Sequence, residues 1–196
     1  MRIIGITGPS GAGKSFLSMA LSSKGVPCID ADSVYHTLLI PPSPCLDALR
    51  AAFGDSVFLP DGSLDRKALG NIVFNDSEKL KLLNSTVLEL VLVRIREIIA
   101  ELAQAGHSAV AVDAPTLIES GFDKECDTVI SVLAPHSLRI ERIMSRDGIT
   151  REAAELRVKA QKDDSFYVNA SDHVITNDGD GAQLERRVAE LLESII

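Results

Sequence analysis

Residues 8–15 read Gly-Pro-Ser-Gly-Ala-Gly-Lys-Ser and fit G-x-x-x-x-G-K-[ST] at every defined position. The apolar, β-branched run Arg2–Thr7 precedes them, and Phe16, Leu17, Ala20 and Leu21 follow at helical spacings of three and four. Strand, glycine loop and helix, in that order, is the setting in which this motif holds a nucleoside triphosphate. Gly8 and Gly13 permit backbone conformations and close approaches that a Cβ blocks. The backbone of Ser10, Gly11, Ala12, Gly13, Lys14, Ser15 and Phe16 then brings amides and a helix N-terminus to bear on phosphate oxygens. Lys14 reaches the β- and γ-phosphates, and the Ser15 hydroxyl is the expected Mg²⁺ ligand.

The chain carrying this loop has 196 residues, 45% of them hydrophobic, enough for one cored domain with subdomains. Its richest apolar stretch, Val87 to Ala103, is broken by Glu89, Arg94, Arg96, Glu97 and Glu101 and does not read as a membrane span. No leader pattern opens the sequence, so a cytoplasmic protein is expected. Cys28, Cys45 and Cys126 are odd in number, widely spaced and without C-x-x-C, and read as reduced small hydrophobes. The net charge of −8 argues against a nucleic-acid partner. Between Arg139 and Lys162, however, seven Lys/Arg face four acids, a local surplus of three positive charges.

Short β-branched runs alternate with longer helical patterns, which points to an α/β fold with a mostly parallel sheet. Strands are expected at Arg2–Thr7, Val26–Ile29, Ser108–Asp113, Thr128–Leu133 and His173–Thr176. Helices are expected at Lys14–Ser23, from near Asp65, from about Glu78 to Ala105 with Gly106 closing it, and from about Ala182 to Ile196. Nearly eighty residues without a strand pattern separate the second and third strands. That is too long for a crossover and reads as a helical insertion. A second insertion, Leu138–Val168, is helical, Arg-rich and interrupted by Gly148.

Three further groups of residues carry chemistry. Asp30 and Asp32 stand at the carboxyl end of the second strand, where ligands of open α/β sheets bind. Either carboxylate suits a base that orients an attacking hydroxyl, and either suits a helix N-cap. Asp113, closing the third strand ahead of Ala114-Pro115, is placed to hold Mg²⁺ through water or to cap a helix. Arg139, Arg142 and Arg146 share one helix face, either a solvated surface or a phosphate clamp that closes over the γ-phosphate. His36, four residues after Asp32, lines the acceptor side or is simply exposed.

Taken together these elements resemble the dephospho-CoA kinase family. The P-loop, Asp30-Ala31-Asp32 with His36, Leu64-Asp65-Arg66 with Phe74, Leu83-Asn84, Asp113-Ala114-Pro115 with Glu119, Arg142-x-x-x-Arg146-Asp147, Gln161, and Asp172…Ile175-x-Asn177 follow its order and spacing. Leu88-Glu89, Thr116, Arg139 and Pro42 depart from its common residues, mostly near the acceptor region.

The resemblance implies a P-loop NTPase three-layer fold with a parallel five-stranded sheet. The core would comprise about 1–32, 107–137 and 169–196, with a helical CoA-binding insertion at 33–106 and a helical lid at 138–168. It implies phosphorylation of the ribose 3′-hydroxyl of dephospho-CoA by ATP with Mg²⁺, the last step of coenzyme A biosynthesis. By position, Asp32 resembles the base, with Lys14 and Arg142 beside it in the catalytic set. The P-loop, Arg142, Arg146 and Asn177 would bind ATP, while Asp30, Asp32, His36, Asp113 and Pro115 would line the acceptor site. The partners expected are these two small molecules, acting on a monomer or weak homo-oligomer, with neither nucleic acid nor membrane.

Overall fold

The computed structural model describes residues 1–73 and 76–195; Phe74 and Ile196, named above, lie outside the described residues. Parallel strands β1 (Arg2–Thr7), β2 (Cys28–Asp30), β3 (Ala109–Asp113), β4 (Thr128–Leu133) and β5 (His173–Thr176) form one sheet in the order β2-β3-β1-β4-β5. The register sets Ile4 opposite Ala111 and Thr128, and Ile6 opposite Asp113 and Ile130. Both faces of such a sheet are covered, which is why β1 and β4 read as almost unbroken apolar runs. β2 starts two residues later than the sequence pattern suggests. Pro27 accepts from the Ala111 amide at 2.8 Å but has no N–H to return, so the ladder opens at Cys28.

The chain forms two compact units, Met1–Ile29 with Leu102–Ile196, and Asp30–Glu101. In the first, α1 (Lys14–Ser23) buries Leu17 and Leu21. α9 (Gly181–Ile195) buries Leu184, Val188, Leu192 and Ile195, spaced by fours and a three. Both helices pack on Ile4, Ile6, Ile130 and Val132. Burying each such aliphatic side chain contributes about 1.5–3 kcal/mol, and this cluster is what holds the P-loop's two flanking elements together. The same unit carries α6 (His136–Asp147), α7 (Arg151–Lys159) and α8 (Asp164–Asn169). Gly148, at φ 64°, ends α6, and Ile143, Ala154 and Val158 join it to α7.

The second unit is helical. α2 (Ala31–Leu38) is capped by Asp30, and α3 (Pro44–Phe53) by Ser43 with Pro44 in its first turn. α4 (Arg66–Val73) opens on Asp65, whose Oδ1 accepts from the Lys67 and Ala68 amides at 3.0 and 2.9 Å. α5 (Ser77–Gln104) is the long helix expected, and Gly106 at φ 88° turns the chain after it. Two small cores, around Cys45, Leu46 and Leu49 and around Val57, Leu69 and Val73, share Phe53, Phe58, Leu64 and Leu83. Among the described residues, Cys28, Cys45 and Cys126 are not joined in a disulfide. No helix among the described residues is long and apolar enough to cross a membrane.

Candidate active site

The loop between β1 and α1 leaves the central strand at its carboxyl end. Gly8 turns there at φ 135°, and a Cβ on it would lie 2.2 Å from the Val132 carbonyl oxygen at the end of β4. Gly13 is the N-cap of α1 in the left-handed region, with no side chain capping the helix. The helix therefore starts with donors left for a ligand rather than for its own chain. The Ala12 amide turns inward to the Pro9 oxygen at 3.2 Å, and the Phe16 amide to the Gly13 oxygen at 3.1 Å. Among the described residues the amides of Gly11, Gly13 and Ser15 donate to nothing. Lys14 Nζ rests on the Gly8 oxygen at 2.9 Å, folded along the loop it serves. Phe16 is half-buried against the core below α1.

α6 lays its three arginines on this loop. Arg139 Nε donates to the Ser10 oxygen at 3.1 Å, and Nη2 to Gln161 Oε1. Arg142 Nη1 donates to the Gly11 and Ala12 oxygens at 3.2 and 3.3 Å, and Nη2 to Asn177 Oδ1 at 2.9 Å. Arg146 Nη2 reaches Ser10 Oγ at 3.3 Å while Nε pairs with Asp147 at 2.7 Å. Neither sequence alternative, solvated face or phosphate clamp, anticipates three guanidiniums spent on loop oxygens. Asn177, one of the ATP-binding residues implied by the resemblance, is 7% exposed and donates from Nδ2 to the Ala12 oxygen.

Electrostatics follow burial. Burial pushes Arg139 below its ordinary value, with Asp164 and Tyr167 acting the other way. Burial likewise raises the Tyr167 hydroxyl. At the surface, the hydrogen-bonded Arg146 guanidinium, with Arg157 behind it, holds the Asp147 carboxyl below the usual range.

Asp113 ends β3 half-buried, and its Oδ2 accepts from Ser18 Oγ at 2.8 Å. Pro115 accepts from the buried Thr7 hydroxyl at 3.5 Å. Ser18 was not singled out by the motif, although a serine one turn after Lys14 on an apolar helix face is a legible signal. Gln161, which the sequence offers only as part of the family resemblance and without a role, bonds both Arg139 and the Ser10 amide, the latter at 3.2 Å.

In the second unit the two carboxylates separate by task. Asp30 Oδ1 accepts from the Asp32 and Ser33 amides at 2.9 and 3.3 Å, and Oδ2 from Ser33 Oγ at 3.1 Å. The Asp32 carboxylate is exposed and has no hydrogen-bond partner among the described residues. His36 is exposed, with its ring 5.5 Å from that of Tyr35.

A strand–loop–helix with open amides, a lysine at the helix start and arginines from a later helix fits a P-loop kinase. A dephospho-CoA kinase family model matches residues 2–183. The chain belongs to the dephospho-CoA kinase family. A dephospho-CoA kinase of Streptomyces avermitilis is 39% identical over 193 residues, covering 98% of this chain and 93% of the relative. The solved dephospho-CoA kinase of Campylobacter jejuni is 27% identical with a TM-score of 0.73, covering 100% of this chain and 98% of the other. A shikimate kinase structure from Bacteroides thetaiotaomicron, 17% identical with a TM-score of 0.55 over 99% and 98% of the two chains, shares the fold.

Proposed function

We propose that this chain transfers the γ-phosphoryl group of ATP to the ribose 3′-hydroxyl of dephospho-CoA, giving coenzyme A. The observation that carries this reading is the P-loop with the Gly11, Gly13 and Ser15 amides open beside Lys14, in a chain of this family. Amides, lysine and Arg142 would gather the triphosphate and spread its developing charge, and in this chemistry positioning and charge stabilisation supply most of the rate. Asp32 is the base in this reading, because Asp30 is already committed to capping α2. Its carboxylate would accept the hydroxyl proton as the phosphoryl group leaves ADP.

The donor set suits Mg²⁺. The Ser15 hydroxyl is exposed, the Asp113 carboxylate is a hard oxygen donor, and the described residues hold no cluster of three or more His, Cys, Asp or Glu. A hydroxyl and a carboxylate are hard oxygen donors that suit an ion which keeps its waters and takes phosphate oxygens. When bound it would neutralise charge between the β- and γ-phosphates. In the same reading residues 33–106 are the acceptor-binding insertion, and 138–168 a lid that brings Arg142 and Arg146 to the donor. The enzyme would work in the cytoplasm as a monomer or weak homo-oligomer.

A coupled ADP-release assay with a panel of hydroxyl acceptors tests the proposal. Turnover should be selective for dephospho-CoA, and turnover with another acceptor but none with dephospho-CoA would overturn it.

A further inference from the structure

Arg139 is 1% exposed and is the largest fully buried side chain among the described residues. No carboxylate pairs with it among them; its partners are neutral oxygens, those of Ser10 and Gln161. A cation held this way loses its hydration with no carboxylate in direct contact, Asp164 acting on it only through space, so a well-packed apolar side chain of similar volume would serve stability at least as well. The return on that cost is found in the loop. Both backbone groups of Ser10 end on the Arg139–Gln161 pair: its oxygen accepts from Arg139 Nε, and its N–H donates to Gln161 Oε1 at 3.2 Å. The next residue rests on the helix itself, since a Cβ on Gly11 would lie 2.7 Å from the Arg139 carbonyl oxygen. The start of the P-loop is thereby fixed to the first turn of α6 and to the residue following the C-cap of α7.

We propose that Arg139 is a positioning residue for the phosphate cradle: with Gln161 it clamps the Ser10 peptide and so keeps the Gly11, Gly13 and Ser15 amides in a phosphate-receiving arrangement. The proposal rests on the P-loop being the ATP site. Arg139 acts through Ser10 and Gln161, and touches no reacting atom.

The test uses the full chain with Arg139→Met, Arg139→Lys, Gln161→Met and the Arg139→Met/Gln161→Met double variant. ATP affinity is read by calorimetry, KM values for ATP and dephospho-CoA by steady-state assay, and folding by thermal midpoint. Removing either clamp residue should weaken ATP affinity about tenfold, the scale of one charged hydrogen bond lost. KM for dephospho-CoA should stay within about twofold and the thermal midpoint of Arg139→Met should not fall in step, since the loss is one of positioning. The double variant should bind ATP no worse than the weaker single variant, because the two residues act as one unit. Arg139→Lys should not restore affinity, since one ammonium lacks the fork that meets both oxygens. Wild-type ATP affinity in Arg139→Met, additive losses in the double variant, or full rescue by lysine would each overturn the proposal. Should Arg139→Met not fold, Gln161→Met and Arg139→Lys decide by the same criteria. The calorimetric arm needs no acceptor, so it stands even if dephospho-CoA fails as substrate.

Discussion

Asn177 Nδ2 donates to the Ala12 carbonyl oxygen at 2.9 Å, so one side chain ties the loop after β5 to the middle of the P-loop. Its other end accepts from Arg142 Nη2 at 2.9 Å, and the Gly13 Cα sits so close that a Cβ there would be 2.3 Å from the same Nδ2. Asn177 thus orders the cradle and the arginine above it together.

Replacing Asn177 by Leu leaves the Ala12 oxygen with only its longer bond from Arg142 Nη1 and removes the acceptor of the half-buried Arg142 Nη2. The loss should be about 2 kcal/mol. For a chain of this size that lowers Tm by about 4–8 °C. KM for ATP should rise alongside it. Thermal melts and ATP saturation curves of the purified variant check both.

Gly8→Ala and Gly54→Ala separate strain from obstruction. Gly54, at φ 80°, has open space around its would-be Cβ, whereas that of Gly8 meets the Val132 oxygen. Both substitutions should cost about 1–3 kcal/mol of stability. Only Gly8→Ala should also weaken ATP binding, by about tenfold or more, because its strain sits in the cradle. Paired denaturation and ATP titrations measure the contrast.

Cys126 supplies a pH prediction. Burial first, then the carboxylates of Asp123, Glu125, Asp127 and Asp172, pushes its thiol up to about 12. A Cβ on Gly5 would meet its Sγ at 2.8 Å, which shows how tightly it lies against β1. The folded state holds the proton more firmly than the unfolded one. This group's stabilisation is therefore complete below about pH 9 and is lost as pH rises toward about 12. Cys126→Ala should flatten the fall in urea midpoint between those pH values. At pH 8 the native thiol should resist a disulfide reagent that labels the unfolded chain at once.

Substitutions at the two acids and the lysine should differ in kind. Asp32→Asn should lower kcat by about 10²–10⁴-fold with little change in KM. Asp30→Asn should keep the cap and most activity, while Asp30→Ala should cost about 1 kcal/mol of stability. Lys14→Ala should lose ATP binding and rate together. Steady-state kinetics beside thermal melts distinguish the three patterns.

Much of this was legible in the sequence because it is local. The P-loop, Asp65 as a helix start and Gly106 as a helix end are signals spread over a few residues, and the structure carries each of them. α3 was expected only as part of an undivided helical insertion, and its start is marked by Pro44, which fills a first-turn position where its missing N–H is harmless. The burial of Arg139 was out of reach, since it depends on Gln161 and the P-loop meeting it in space. Its spacing with Arg142 and Arg146 revealed a shared face but not what that face covers.

The central claim is the identity of the acceptor. Incubating the wild-type chain with ATP and dephospho-CoA, and locating the new phosphate by phosphorus NMR, tests it most directly. The account predicts one phosphate added at the ribose 3′-oxygen for each ADP released, and almost none with Asp32→Asn. ADP release that leaves dephospho-CoA unmodified, or a phosphate on any other oxygen, would contradict it.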